Sequence, residues 1–148
     1  MSAIEQKLAA QGLALAPPRT PVANYLRTKR SGELIFVSGL VSTLRGAVGA
    51  EVSPEAAKIT ARDTMLDLLA LVKHDIGDLD KVVSIEQVRG FVRSAPDFTA
   101  QPGVIDGASD LLISLWGEAG RHARTATGVS QLPYGAAVQL EMILRLRD

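Results

Sequence analysis

Between Val138 and Arg147 the chain alternates strictly enough to fix one element. Val138, Leu140, Met142, Leu144 and Leu146 are interleaved with Gln139, Glu141, Ile143, Arg145 and Arg147. Successive side chains of a strand point to opposite faces, so a period of two demands a strand with one face against a core. The other face carries polar groups that are either solvated or buried at an interface.

The cover for the buried face lies upstream. Ser53-Pro54 reads as an N-cap followed by proline at the first helical position. Ile59, Leu66, Leu69, Val72 and Ile76 then recur at helical spacing, with Arg62, Asp63, Asp67 and Lys73 mostly on the other side, and Gly77 closes the helix. A second helix is predicted over residues 105–116, ended by Gly117 or Gly120. Residues 82–92 are rich in β-branched side chains and read as a strand. The alternation falters at Glu86-Gln87, which fits a bulge or a strand buried on both faces. Residues 123–129 read as a further strand, followed by the turn Leu132-Pro133-Tyr134-Gly135.

Nearer the start, Ser31-Gly32 separates candidate strands at 25–30 and 34–38 as a hairpin, with Gly39 ending the second. Gly46 and Gly49 mark a loose loop. Ser2 and Glu5 form a capping-box pattern, so a short helix is predicted up to Gly12. Residues 13–15 suggest a brief strand, and Pro17, Pro18 and Pro21 force an extended loop to about Tyr25. The order β-β-α-β-α-β-β after an N-terminal helix implies a two-layer α+β domain with both long helices on one sheet face. The bare face then needs a cover, and self-association is the common solution. With 148 residues and no linker or repeat, residues 1–148 read as one domain, 1–20 being an N-terminal helix and Pro-rich extension.

Several function classes are disfavoured by what the sequence lacks. Sixteen basic and 16 acidic residues give zero net charge, without the basic surplus of a dedicated nucleic-acid binder. The absence of cysteine removes disulfides, thiolate metal sites and a thiol nucleophile. No signal-peptide layout and no apolar run near the ~18 residues of a membrane span occur, so the chain reads as cytoplasmic with no membrane partner. Phosphate-loop, dinucleotide, nucleophile-elbow and zinc-protease motifs are missing. The two histidines, His74 and His122, have no ligand cluster around them in sequence. His74 falls near the C-terminus of the long helix, where a partly charged imidazole suits the dipole. Asp63 and Asp67 share a helix face, but on its polar side.

Three segments carry a resemblance. They are Phe36-Val37-Ser38-Gly39 preceded by Tyr25; Leu79-Asp80-Lys81-Val82-Val83 after the long helix; and Gly120-Arg121-His122-Ala123-Arg124-Thr125-Ala126 with Leu132-Pro133 and the strand to Glu141. From about Pro21 onward the chain resembles the YjgF family, the reactive-intermediate deaminases also labelled endoribonuclease L-PSP-like. The stretches 94–98, 107–112 and 117–124 look like a longer subgroup whose reaction is unassigned.

The resemblance implies a chorismate-mutase-like fold and a homotrimer, its sheets forming a central barrel with ligand clefts between subunits. It implies that Arg124 grips a small carboxylate or imine ligand, a task suited to a planar fork of donors. Backbone groups near Thr125 and Ala126 would position an imine and a water, and Tyr25, Ser38 and Gly39 would line the cleft. The implied reaction hydrolyses an enamine or imine to a 2-oxo acid and ammonia, with no cofactor and no metal.

Gln139 stands where the resemblance implies a catalytic glutamate. A glutamine orients water but transfers no proton, and losing such a group costs about 10²–10⁴ in rate. Glu141 shares the strand face but lies about 7 Å further along. Leu40 and Ala126 replace a frequent glutamine and cysteine. The readings to be separated are therefore an enamine/imine deaminase, a carboxylate-binding module without turnover, and a ribonuclease. The neutral charge and lack of a histidine acid–base pair argue against the last. The alternative role for Arg124 is an ion pair with Glu141 or Glu118.

Overall fold

A computed structural model of the chain describes residues 1–21 and 23–147. The Ser53-Pro54 pair starts the longest helix, Ser53 Oγ accepting from the Ala56 amide at 3.1 Å. In chain order the elements are α1 (Ala3–Ala10), β1 (Thr28–Ser31), β2 (Leu34–Val41), α2 (Pro54–Ile76), β3 (Val82–Arg93), α3 (Gln101–Trp116), β4 (Ala123–Val129) and β5 (Val138–Leu146). The strands form one mixed sheet in the order β1-β2-β5-β3-β4, with only the β3–β4 pair parallel.

Both long helices pack on the same side of the sheet. The strand face beneath them carries Val88 and Val92 of β3 and Val138, Leu140 and Leu144 of β5, all fully buried. Met65, Leu68 and Leu69 of α2 and Ile105, Leu112 and Leu115 of α3 close over them. Burying each of these side chains contributes on the order of 1.5–3 kcal/mol. Phe36, Phe91, Gln139, Glu141 and Ile143 fall on the opposite face, and Phe36 is 42% exposed.

Two bulges shape the central strands. Between Ile85 and Gln87 the β3–β5 register slips, which accounts for the broken alternation at Glu86-Gln87. Between Val37 and Leu40 the β2–β5 register slips as well, placing an extra residue at Ser38-Gly39. The strand therefore does not stop at Gly39 as its sequence suggests. It absorbs Gly39 in the bulge and continues to Val41.

Other boundaries also differ from the sequence reading. β1 covers only Thr28–Ser31 rather than 25–30, and its hairpin turns on Gly32-Glu33, with Gly32 at φ +60°. No strand forms at 13–15: the Leu13 amide closes back on Leu8 O at 2.9 Å, and Leu13 and Leu15 pack on the core irregularly. α3 begins at Gln101, because Pro102 fits the first turn, where its missing N–H has no partner to lose. Ile59 lies on the outer side of α2, 54% exposed.

The N-terminal helix is docked by tertiary contacts. Ile4 and Leu8 are buried, Asp80 accepts from the Ala3 and Ile4 amides at 2.8 and 3.1 Å, and Lys7 Nζ donates to Leu115 O at 3.0 Å. Glu5 pairs with Lys73, which holds its carboxyl below the ordinary value.

Candidate functional site

The bulge in β2 sets the geometry of a cavity of about 720 Å³. Ser38 turns toward the preceding segment, its amide donating to Arg27 O at 2.9 Å and its Oγ to Leu26 O at 2.5 Å. Gly39 lets the Gln139 side chain lie close: a Cβ on Gly39 would stand 3.1 Å from Gln139 Nε2. Tyr25, Ser38, Gly39, Gln139 and Glu141, five of the residues singled out from sequence, all line this space. Glu141 is 3.9 Å from Arg89, a loose pair at 34% side-chain exposure.

The sequence reading missed Arg19, Thr20, Pro133 and Tyr134 in the same wall. Tyr134 sits at φ 60°, the only non-glycine in the left-handed region among the described residues. Such a conformation is uncommon for a bulky residue and costs about 1–3 kcal/mol. Arg19 is carried by the proline-rich arm. Its Nη2 donates to Val41 O at 2.8 Å and lies 3.4 Å from Asp67 of α2. Asp67 is thus not on a solvated helix face. Burial raises its carboxyl above the ordinary value, against the opposing charge of Arg19.

Arg124 is placed elsewhere in its own chain. It pairs in register with Val88, so it points to the helix side of the sheet, while Thr125 pairs with Arg89 on the bare face and Ala126 with Gly90 toward the helices. Arg124 Nη1 donates to Asp106 Oδ1 at 2.6 Å and to Ser109 Oγ at 3.2 Å. Its partner is thus Asp106 of α3, whereas Glu141 faces Arg89 and Glu118 faces Arg121. The Nε–Nη2 edge of Arg124 makes no hydrogen bond among the described residues.

His122 completes this second cluster, which borders a cleft of about 220 Å³. Its Nδ1 is 2.6 Å from Gly120 O, and a carbonyl only accepts, so Nδ1 carries the proton. Nε2 then accepts from Ser109 Oγ at 2.9 Å. Burial lowers the imidazole below its ordinary value, aided by the nearby Arg124 charge and opposed by the bond to Gly120. Among the described residues no group of three or more His, Asp or Glu side chains is arranged to hold a metal ion.

A mixed five-stranded sheet with two long helices on one face, and a bulge-lined cavity at its bare side, defines a chorismate-mutase-like α+β protein. The sequence profile of the family described as "YjgF/chorismate mutase-like, putative endoribonuclease" matches residues 5–143, and the chain belongs to that family. It is 37% identical to Protein TCP17 of Trypanosoma cruzi over 144 residues, covering 93% of this chain and 90% of that protein. The crystal structure of Atu1372 from Agrobacterium tumefaciens, a protein of unknown function, superposes with a TM-score of 0.91 at 36% identity. It covers 98% of this chain and 93% of that one. The "putative endoribonuclease" of Shewanella oneidensis MR-1 superposes with a TM-score of 0.93 at 26% identity, covering 98% and 100%. No helix among the described residues is long and apolar enough to cross a membrane.

Proposed function

We propose that this chain binds a small carboxylate metabolite in the cavity beside the β2 bulge, and that copies assemble as a homotrimer to close it. The observation that carries the reading is the convergence of Tyr25, Ser38, Gly39, Gln139 and Glu141 on one space of about 720 Å³. That volume lies within the ~300–1,000 Å³ range of ligand pockets. The bare sheet face, with Phe36 exposed beside Ile143 and Phe91 two strands away, supports association through that face. Arg124, on the edge strand and with one guanidinium edge open, then contacts the ligand of a neighbouring copy.

Binding is the primary activity in this reading, and turnover is secondary. Gln139 lies against Gly39 inside the cavity and positions a water, but it supplies no proton. Hydrolysis of an enamine or imine acid therefore proceeds slowly without a stronger acid–base group. Calorimetric titration with 2-oxobutyrate, alongside an ammonia-release assay on enamines generated in place, tests both parts. Heat of binding with little ammonia is the expected result. Absence of heat with every small acid tried, or a monomer by light scattering, would overturn it.

A further inference from the structure

An acid in this cavity needs a cation, and the chain supplies one that the resemblance does not point to. Among the described residues lining the space, Arg19 is the only cationic side chain. We infer that Arg19 is the carboxylate anchor contributed to the cavity by its own chain, which makes the proline-rich arm part of the binding site. This rests on the carboxylate-binding reading above and assigns the charge within it.

Three observations support the assignment. The guanidinium is fixed from one side only, Nη2 being committed to Val41 O at 2.8 Å and to Asp67 at 3.4 Å. Its Nη1 makes no hydrogen bond among the described residues, which leaves donors for an incoming anion. Its Nε is buried without a hydrogen-bond partner. A buried donor left unpaired is costly, so the contacts its own chain provides do not satisfy the head group fully.

The surroundings give Arg19 a role beyond capping the strand. A pairing with Val41 O alone would leave the charge solvated and indifferent to ligands. Here the side chain is about one-third exposed, at 34%, and Arg19 shares the cavity wall with Tyr25, Ser38 and Gln139. Asp67, held partly buried beneath it, acts as a positioning residue: it fixes the guanidinium plane without lining the cavity. The prolines at 17, 18 and 21 restrict the arm and so reduce the entropy lost when Arg19 is held in place.

The test compares acids with a neutral isostere. Benzoate, benzamide and 2-oxobutyrate are titrated into the parent, Arg19→Met, Arg19→Lys, the double variant Arg19→Met/Asp67→Asn, and Arg124→Met. The double variant removes the cation without leaving Asp67 unpaired. Thermal melts establish that each variant is folded. The parent should prefer benzoate over benzamide, and Arg19→Met and the double variant should lose that preference, with acid affinity down roughly tenfold or more. Arg19→Lys should recover part of it. A purely structural role would weaken benzoate and benzamide together and leave their ratio intact, which overturns the assignment. Parent-like acid binding in folded Arg19→Met overturns it as well, while leaving the carboxylate reading standing. A parent that binds neither acid removes the carboxylate reading and the anchor with it. The Arg124→Met titration reports separately on the contact across copies.

Discussion

The α-carbon of Gly107 in α3 faces the main-chain carbonyl of Lys58 in α2 so closely that a Cβ would stand 2.0 Å from that oxygen. The two helices meet backbone to backbone at this point, and only glycine fits. Alanine normally gains up to about 1 kcal/mol over glycine inside a helix. Here the clash is with backbone rather than a flexible side chain, so Gly107→Ala should lower stability by about 2 kcal/mol or more. A thermal melt should fall by about 4–8 °C. An unchanged or raised melting temperature would show that the helices separate at no cost.

Placing an acid–base group at position 139 should add turnover to the proposed binding. In Gln139→Glu a carboxylate replaces the amide that lies beside Gly39, and ammonia release from enamine acids should rise about 10²–10⁴-fold. The measurement is initial rate with binding heat as a control. Equal rates in the two proteins would mean that more than this one proton carrier separates the cavity from turnover.

Tyr134 should trade stability against binding. Its left-handed conformation is strained, so Tyr134→Gly should stabilise the fold by about 1 kcal/mol in chemical denaturation. The same change removes one cavity wall, and acid affinity should drop several-fold. A variant that gains stability with affinity intact would separate the strain from the site.

His122 makes stability depend on pH in a stated direction. Its folded value is depressed below 6.5 by burial, so the unfolded chain takes up the proton first as pH falls. The folded state is therefore favoured by this group above pH 6.5 and loses that advantage as pH drops from there through the folded value. His122→Gln should flatten the slope of stability against pH in that window. A slope that survives the substitution would assign the effect to another group.

Much of the architecture was legible because each element carries its own local signal. The β5 alternation, the Ser53-Pro54 start and the Gly77 end of α2 state their period or their caps directly. Boundaries failed where a tertiary feature overrode the local one. Gly39 reads as a stop, yet pairing with β5 carries the strand through it as a bulge, and Leu13 and Leu15 read as a strand with no neighbour to pair with.

The candidate site was half legible for a related reason. Tyr25, Ser38, Gly39, Gln139 and Glu141, which line one cavity, were legible because the resemblance covers the segments that hold them. Arg19 went unread because nothing in an isolated Pro-Pro-Arg-Thr-Pro run indicates that its guanidinium folds back onto Val41 and Asp67. Arg124 was read as an anchor, but its link to Asp106 depends on how α3 lies along β4, which no local pattern records.

The docking of α1 turns the arm into a strap fastened at both buckles. Asp80 and the Glu5–Lys73 pair hold one end, and the β1–β2 hairpin holds the other. Shaving away the first ten residues, or burdening them with a bulky fusion, would therefore loosen a segment that lines the cavity far from the cut. Assays on tagged or trimmed protein would then report the slack in the strap rather than the chemistry beneath it.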